Sequence, residues 1–166
     1  GGAGLRLLLV RHGESRNNAL MSGAGMTPER WRAGREADPG LSEAGLGQAE
    51  ALGCLLGGGT PRRALLAGAV PPSRLLVSPV RRAVETLRPT AERLGLAPEV
   101  WTECFEVGGI YHSGGTTSRG LARSELREQL PGCVLPEDVG GPRGRDRAGL
   151  VRARRPRARG PGARAR

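Results

Sequence analysis

The segment LLLVRHGESRNN, Leu7 to Asn18, decides how the fold is read. Together with Leu5 and Arg6 it makes a short, nearly all-apolar run from Leu5 to Val10 that ends in a Gly-containing turn, the pattern of a buried β-strand. The run delivers His12, one of two histidines in the chain, directly beside Arg11. A neutral imidazole nitrogen can attack phosphorus, and an adjacent guanidinium can hold phosphate oxygens in a bidentate grip. Gly13 then serves the sharp turn, at a point where a side chain would crowd a phosphate. Ser15 either bonds phosphate or caps the next turn.

Working outward, strand and helix signals alternate. Thr27 to Arg30, TPER, pairs an N-cap residue with proline at the first helical position and predicts a short helix within a longer excursion. A longer helix is predicted from Ser42 to about Leu56, with Ala49, Leu52 and Leu56 on one face and Gly57-Gly58-Gly59 as its stop. Arg74 to Val77, RLLV, reads as a second strand. After it, Ser78 is positioned to cap a helix and Pro79 to occupy its first turn. That helix carries Ala83, Leu87 and Leu94 as its apolar stripe and should kink at Pro89. Pro98 to Trp101 reads as a third strand, residues 103 to 120 as a Gly-rich loop, and Leu121 to Leu130 as a helix closed by Pro131-Gly132. Strand, helix, strand, helix, strand in this order predicts an α/β fold, a three-layer sandwich with a mainly parallel central sheet. Ligands in such sheets bind at the carboxyl ends of the strands, where His12 and Ser78 both fall.

A chain of 166 residues has room for one domain of ordinary size. Its net charge of +10 invites a nucleic-acid reading, but the charge is unevenly placed. Up to position 142 the chain holds 16 Arg against 15 acidic residues; from 143 onward it holds 10 Arg against Asp146 alone. The basic character is that of a tail. From Gly140 the text loses apolar periodicity and becomes rich in Arg, Gly, Pro and Ala, so residues 1–139 are read as the domain and 140–166 as a disordered tail. All 26 basic side chains are Arg, which fits a GC-rich gene. The abrupt change near Gly140 fits out-of-frame or intronic translation of such DNA, which transcript sequencing would reveal. The three cysteines, Cys54, Cys104 and Cys133, form no metal or disulfide pattern, and reduced thiols in an intracellular, cytoplasmic setting are expected. No membrane segment or signal peptide is visible.

The succession VRHGESRNN, DPGLSEAGLGQAEALG (Asp38 to Gly53), VSPVRRAVETLRPTAERLG (Val77 to Gly95) and FEVGGIY (Phe105 to Tyr111) resembles the histidine phosphatase superfamily, also called the phosphoglycerate mutase-like family. The resemblance extends over residues 5 to about 139. It implies that His12 is the phosphate-accepting nucleophile, that Arg11, Asn18 and Arg82 bind phosphate or substrate, and that Glu106 protonates the leaving oxygen and later activates water. Glu103 competes with Glu106 for that role, and Arg81, next to Arg82, is read as a solvated helix charge. Leu41, Gly45, Gln48 and Ala49 match a segment of the family that reads as packing. His112 is read as a substrate-loop or surface residue. The implied substrate is a phosphorylated small molecule or a phosphoprotein, and no cofactor or metal is called for, since arginines supply the positive charge.

One part of the family pattern is missing. Members carry a second histidine after a late strand, and this chain has none beyond His112. The sandwich is therefore expected to lack its last strand and helix, and the phosphoryl pocket one cationic, hydrogen-bonding group, at about 10²-fold or more in rate. The expected activity is phosphomonoester hydrolysis through phosphohistidine, impaired in this chain; a glycolytic-type mutase is disfavoured by the loop around EVGGIYHSGG. Two other classes compete: a phospho-ligand binding module without turnover, and nonspecific polyanion or nucleic-acid binding by the arginine tail, which has no aromatic stacking platform.

Overall fold

Five helix starts organise the described residues, and most follow from local chemistry. In the computed structural model, which describes residues 5–57, 71–104, 110–118, 120–137 and 139, helix α1 (Arg16–Met21) opens with a reciprocal capping box. Ser15 Oγ accepts from the Asn18 amide at 3.2 Å and the Asn18 carboxamide oxygen accepts from the Ser15 amide at 3.1 Å. Helix α2 (Pro28–Gly34) begins as predicted, with Thr27 capping and Pro28 in the first turn. Helix α3 (Glu43–Gly57) is capped by Ser42, whose Oγ accepts from Gly45 N at 3.1 Å. Helix α5 (Arg123–Gln129) is closed at its start by Glu125, whose carboxylate accepts from Ala122 N at 2.7 Å.

Helix α4 (Arg81–Leu94) departs from the expectation. Its cap position is Val80, which has no side-chain cap, and the predicted cap, Ser78, has a buried Oγ without a hydrogen-bond partner among the described residues. The carboxylate of Asp38, 43 residues earlier, takes the Arg81 N–H instead, at 3.1 and 3.2 Å. A partner distant in sequence thus supplies the cap, which no local pattern could reveal. Helix α4 also continues through Pro89 to a left-handed C-terminal Gly95 at φ +63°.

Strand β1 (Leu76–Val77) pairs in parallel with β2 (Glu99–Val100), Leu76 opposite Glu99 and Val77 opposite Val100. Val134 adds a parallel bridge on the far side of β2, its N–H donating to Pro98 O and its carbonyl accepting from Val100 N. Val77, Val84, Val100, Leu121, Leu126, Leu130 and Val139 close over this small sheet as the core. The fold is therefore mixed α/β with a small parallel sheet and packed helices, as the sequence predicts.

The first predicted strand does not form. Leu5 to Val10 joins no β-ladder among the described residues and lies open to solvent, with Leu5 96% and Leu9 84% exposed. An apolar run states what environment its side chains favour; a parallel strand also needs neighbours on its edges and cover on its faces. Conversely, part of the Gly-rich loop is a hairpin, β3 (Ile110–Tyr111) antiparallel to β4 (Thr117–Ser118), turning through Gly115 at φ +80°. Ser113 Oγ donates to Arg32 O and ties this hairpin to α2.

The α3–α4 contact is built from missing side chains. The buried face of α3 is Gly45, Ala49, Gly53 and Leu56, with Leu52 only half-buried. A Cβ on Gly53 would lie 3.0 Å from Pro89, and one on Gly57 would lie 2.5 Å from Arg93 Cβ. On α4 the deepest residues are Val84 and Thr90 rather than the predicted Ala83, Leu87 and Leu94, because α4 is covered by α3 as well as by the sheet. No helix among the described residues is long and apolar enough to cross a membrane. The predicted tail, residues 140–166, lies outside the described residues, as does Gly58-Gly59.

Candidate active site

The turn after Val10 is held from three directions. Gly13 N donates to Thr86 Oγ1 at 3.0 Å, Glu14 N donates to Gln48 Oε1 at 2.8 Å, and Ser42 N donates to Glu14 O at 2.9 Å. Leu41 bridges Ser15 and is fixed by its own N–H to the Glu85 carboxylate at 2.6 Å. The sequence assigned Gly13 to phosphate clearance; a Cβ there would instead meet Gly45 O at 2.8 Å, so the glycine is required by the close approach of α3. Gly45, Ala49 and Leu41 are buried packing elements, as read, whereas Gln48 is exposed and acts through its hydrogen bond from Glu14 N.

His12 Nδ1 lies 2.7 Å from Gly13 O. A carbonyl only accepts, so Nδ1 is the donor in this contact and Nε2 is the ring nitrogen it leaves unengaged. With Nδ1 so engaged, Nε2 is the ring nitrogen placed to act as a nucleophile.

Arg11, His12, Asn18 and Arg82 come together around one cavity of about 300 Å³. Arg82 is 8% exposed and Asp38 Oδ1 lies 3.9 Å from one of its terminal nitrogens. Burial pushes the Asp38 carboxyl above the ordinary aspartate range, against the Arg81 N–H bond and the two nearby guanidinium charges, which lower it. Arg81 takes a different course, its guanidinium 4.0 Å from Glu125 Oε1, and does not line the cavity. Asn18 spends its oxygen on Ser15, which leaves its amide N–H groups as the donors it can offer. Ser15 thus caps α1 while also lining the cavity.

Thr86 connects the two halves of the site. Its hydroxyl donates to Arg82 O at 2.6 Å while accepting from Gly13 N, so one oxygen ties the arginine-bearing helix to the histidine-bearing turn. The sequence pattern contained this threonine without giving it a role. Asp38, Asn17, Arg35 and Tyr111 were likewise missed; all but Asp38 line the cavity, and only the spacing of DPGL ahead of the helix hinted at Asp38. Glu106 lies outside the described residues, Glu103 is exposed in the turn Thr102–Cys104, and His112 is exposed on the hairpin.

Residues 7–131 match the histidine phosphatase superfamily, branch 1. The chain belongs to that superfamily. Its α/β architecture is consistent with the phosphoglycerate mutase-like fold of this histidine phosphatase branch. Among solved structures it is similar to mycobacterial hydrolase 1, at 28% identity over 73% of this chain and 45% of that one, with a TM-score of 0.40. It is also similar to a mycobacterial glucosyl-3-phosphoglycerate phosphatase in complex with VO3, at 28% identity, the same coverage and a TM-score of 0.37. The chain spans less than half the length of either. No curated protein matches it.

Proposed function

We propose that this histidine phosphatase-type chain cleaves phosphomonoesters through a phosphohistidine on His12. The observation that carries the reading is the placement of His12, with Nδ1 engaged by Gly13 O, at a cavity that Arg11 and Arg82 also line. In the first step the Nε2 lone pair bonds to phosphorus, the P–O ester bond breaks, and the leaving oxygen takes a proton from an acid, the role assigned to Glu106. Water then attacks phosphorus, the P–N bond breaks, and inorganic phosphate departs. Arg11 and Arg82 neutralise the equatorial oxygens, and the Asn18 amide donates a further hydrogen bond.

Turnover is slow in this chain. The remaining histidine, His112, is exposed on the hairpin and does not line the cavity, so no second imidazole supports the transferring phosphoryl group. The same observation favours a second reading, a phospho-ligand binding module. Incubation with p-nitrophenyl phosphate, with an acid-labile phosphohistidine assay on the quenched protein, separates them. Slow turnover and a phosphoryl adduct lost in His12→Ala support the impaired enzyme; phosphate binding without either supports the module. Brisk turnover abolished by His12→Ala would refute impairment. Arg82→Met should weaken vanadate binding about tenfold or more, whereas Arg81→Met leaves it unchanged.

A further inference from the structure

Arg35 belongs to none of the motifs that locate the phosphate site, yet it lines the same cavity. Its guanidinium carbon lies 4.2 Å from the Tyr111 ring centroid and 5.9 Å from that of Trp31, so a residue of the hairpin and one of α2 stack against it. Its backbone is held on both sides. Arg35 N donates to Trp31 O at 3.0 Å, and the next residue, Glu36, exchanges two backbone hydrogen bonds with the Asn17 side chain at 2.8 and 2.9 Å while its carboxylate pairs with Arg16 at 2.6 Å.

Within this rigid setting Arg35 Nε is buried without a hydrogen-bond partner among the described residues. A side chain that served only to clasp Trp31 to Tyr111 would do so better without a buried, unfilled donor. Stacking leaves the in-plane N–H groups as the way a guanidinium recognises something, and what matches that edge is a planar or tetrahedral oxyanion.

We propose that Arg35 is the specificity-determining residue for a second anionic group on the substrate, a carboxylate or a second phosphate carried by the leaving group. The inference rests on the phosphate-site reading above. While Arg11 and Arg82 hold the transferred phosphoryl group, Arg35 holds the other end of the molecule across the cavity. A volume of about 300 Å³ suits a compact, doubly anionic metabolite.

The test is calorimetric binding to the full chain of four probes: phenyl phosphate, with one anionic group; phosphoglycolate, with an added carboxylate; propane-1,3-diyl bisphosphate, with an added phosphate; and phosphoethanolamine, with an added cation. The wild-type chain should favour phosphoglycolate or the bisphosphate over phenyl phosphate by roughly ten- to hundredfold and should disfavour phosphoethanolamine. The better of the two anionic arms identifies the second group. Arg35→Met should erase that preference while leaving phenyl phosphate binding within about twofold, and Arg35→Lys should keep part of it. Phenyl phosphate binding with no preference in the wild type overturns the inference alone, as does an equal loss for every probe in Arg35→Met. Failure of the wild type to bind any probe overturns the phosphate-site reading and this inference with it.

Discussion

Gly45→Ala tests whether the His12 turn is seated on α3. A methyl group at Gly45 would sit 2.0 Å from Glu14 O, a backbone atom, about 1.4 Å short of the 3.4 Å where ordinary contact begins. The carbonyl cannot swing aside cheaply, because it accepts from Ser42 N at 2.9 Å and its own residue donates to Gln48 at 2.8 Å. Overpacking costs about 1–3 kcal/mol and strain on two hydrogen bonds adds about 1 kcal/mol each, against about 1 kcal/mol gained in helix propensity. The net expectation is a loss of about 2–4 kcal/mol. Gly47, two residues on in the same helix, would place its methyl in open space, so Gly47→Ala should gain about 0.5–1 kcal/mol from propensity alone. Urea denaturation of the two variants gives opposite signs if the seating is real. A Gly45→Ala chain as stable as Gly47→Ala would refute the argument and uncouple the turn from α3.

Thr86→Val should cost about 1–3 kcal/mol in thermal denaturation by leaving Gly13 N without its acceptor, and Thr86→Ser, which keeps the hydroxyl, should recover most of it. Asp38 gives a pH signature. Its folded carboxyl titrates above the unfolded value of about 3.9, so its stabilising contribution is complete below that value and is lost as pH rises through the folded one. Asp38→Asn, which keeps an oxygen to cap Arg81, should therefore gain on the wild type across that window, measured by denaturation at stepped pH; a flat difference would contradict the shift. Glu36 behaves oppositely, since the Arg16 hydrogen bond holds its carboxyl low and its contribution disappears as pH falls through that lowered value.

Local rules were legible wherever one residue answers its near neighbours. Thr27 and Pro28 start α2, Ser42 starts α3 and Pro131-Gly132 follows α5, all from chemistry within four residues. The site was legible for a different reason: RHG and the later arginine-bearing segment carry enough unusual residues to mark His12, Arg11 and Arg82, and the structure brings these around one cavity. What stayed hidden depends on partners far along the chain. Asp38 caps a helix 43 residues away, Gly13 is dictated by Gly45, and Leu5–Val10 has the composition of a strand but joins no ladder among the described residues.

Arg35 shows why composition alone misleads about charge. The eye is drawn to the ten arginines after position 142, whose density suggests polyanion binding, yet an arginine selects a ligand only when its geometry is fixed and its donors are left unfilled. Arg35 is held by Trp31 and Tyr111, two of only four aromatic residues in the chain, and its Nε is buried without a hydrogen-bond partner among the described residues. Among described residues whose buried core is aliphatic, placing two scarce aromatic rings against one cation at the cavity that Arg11, His12 and Arg82 line is better explained by recognition than by packing, because neither ring belongs to the buried core.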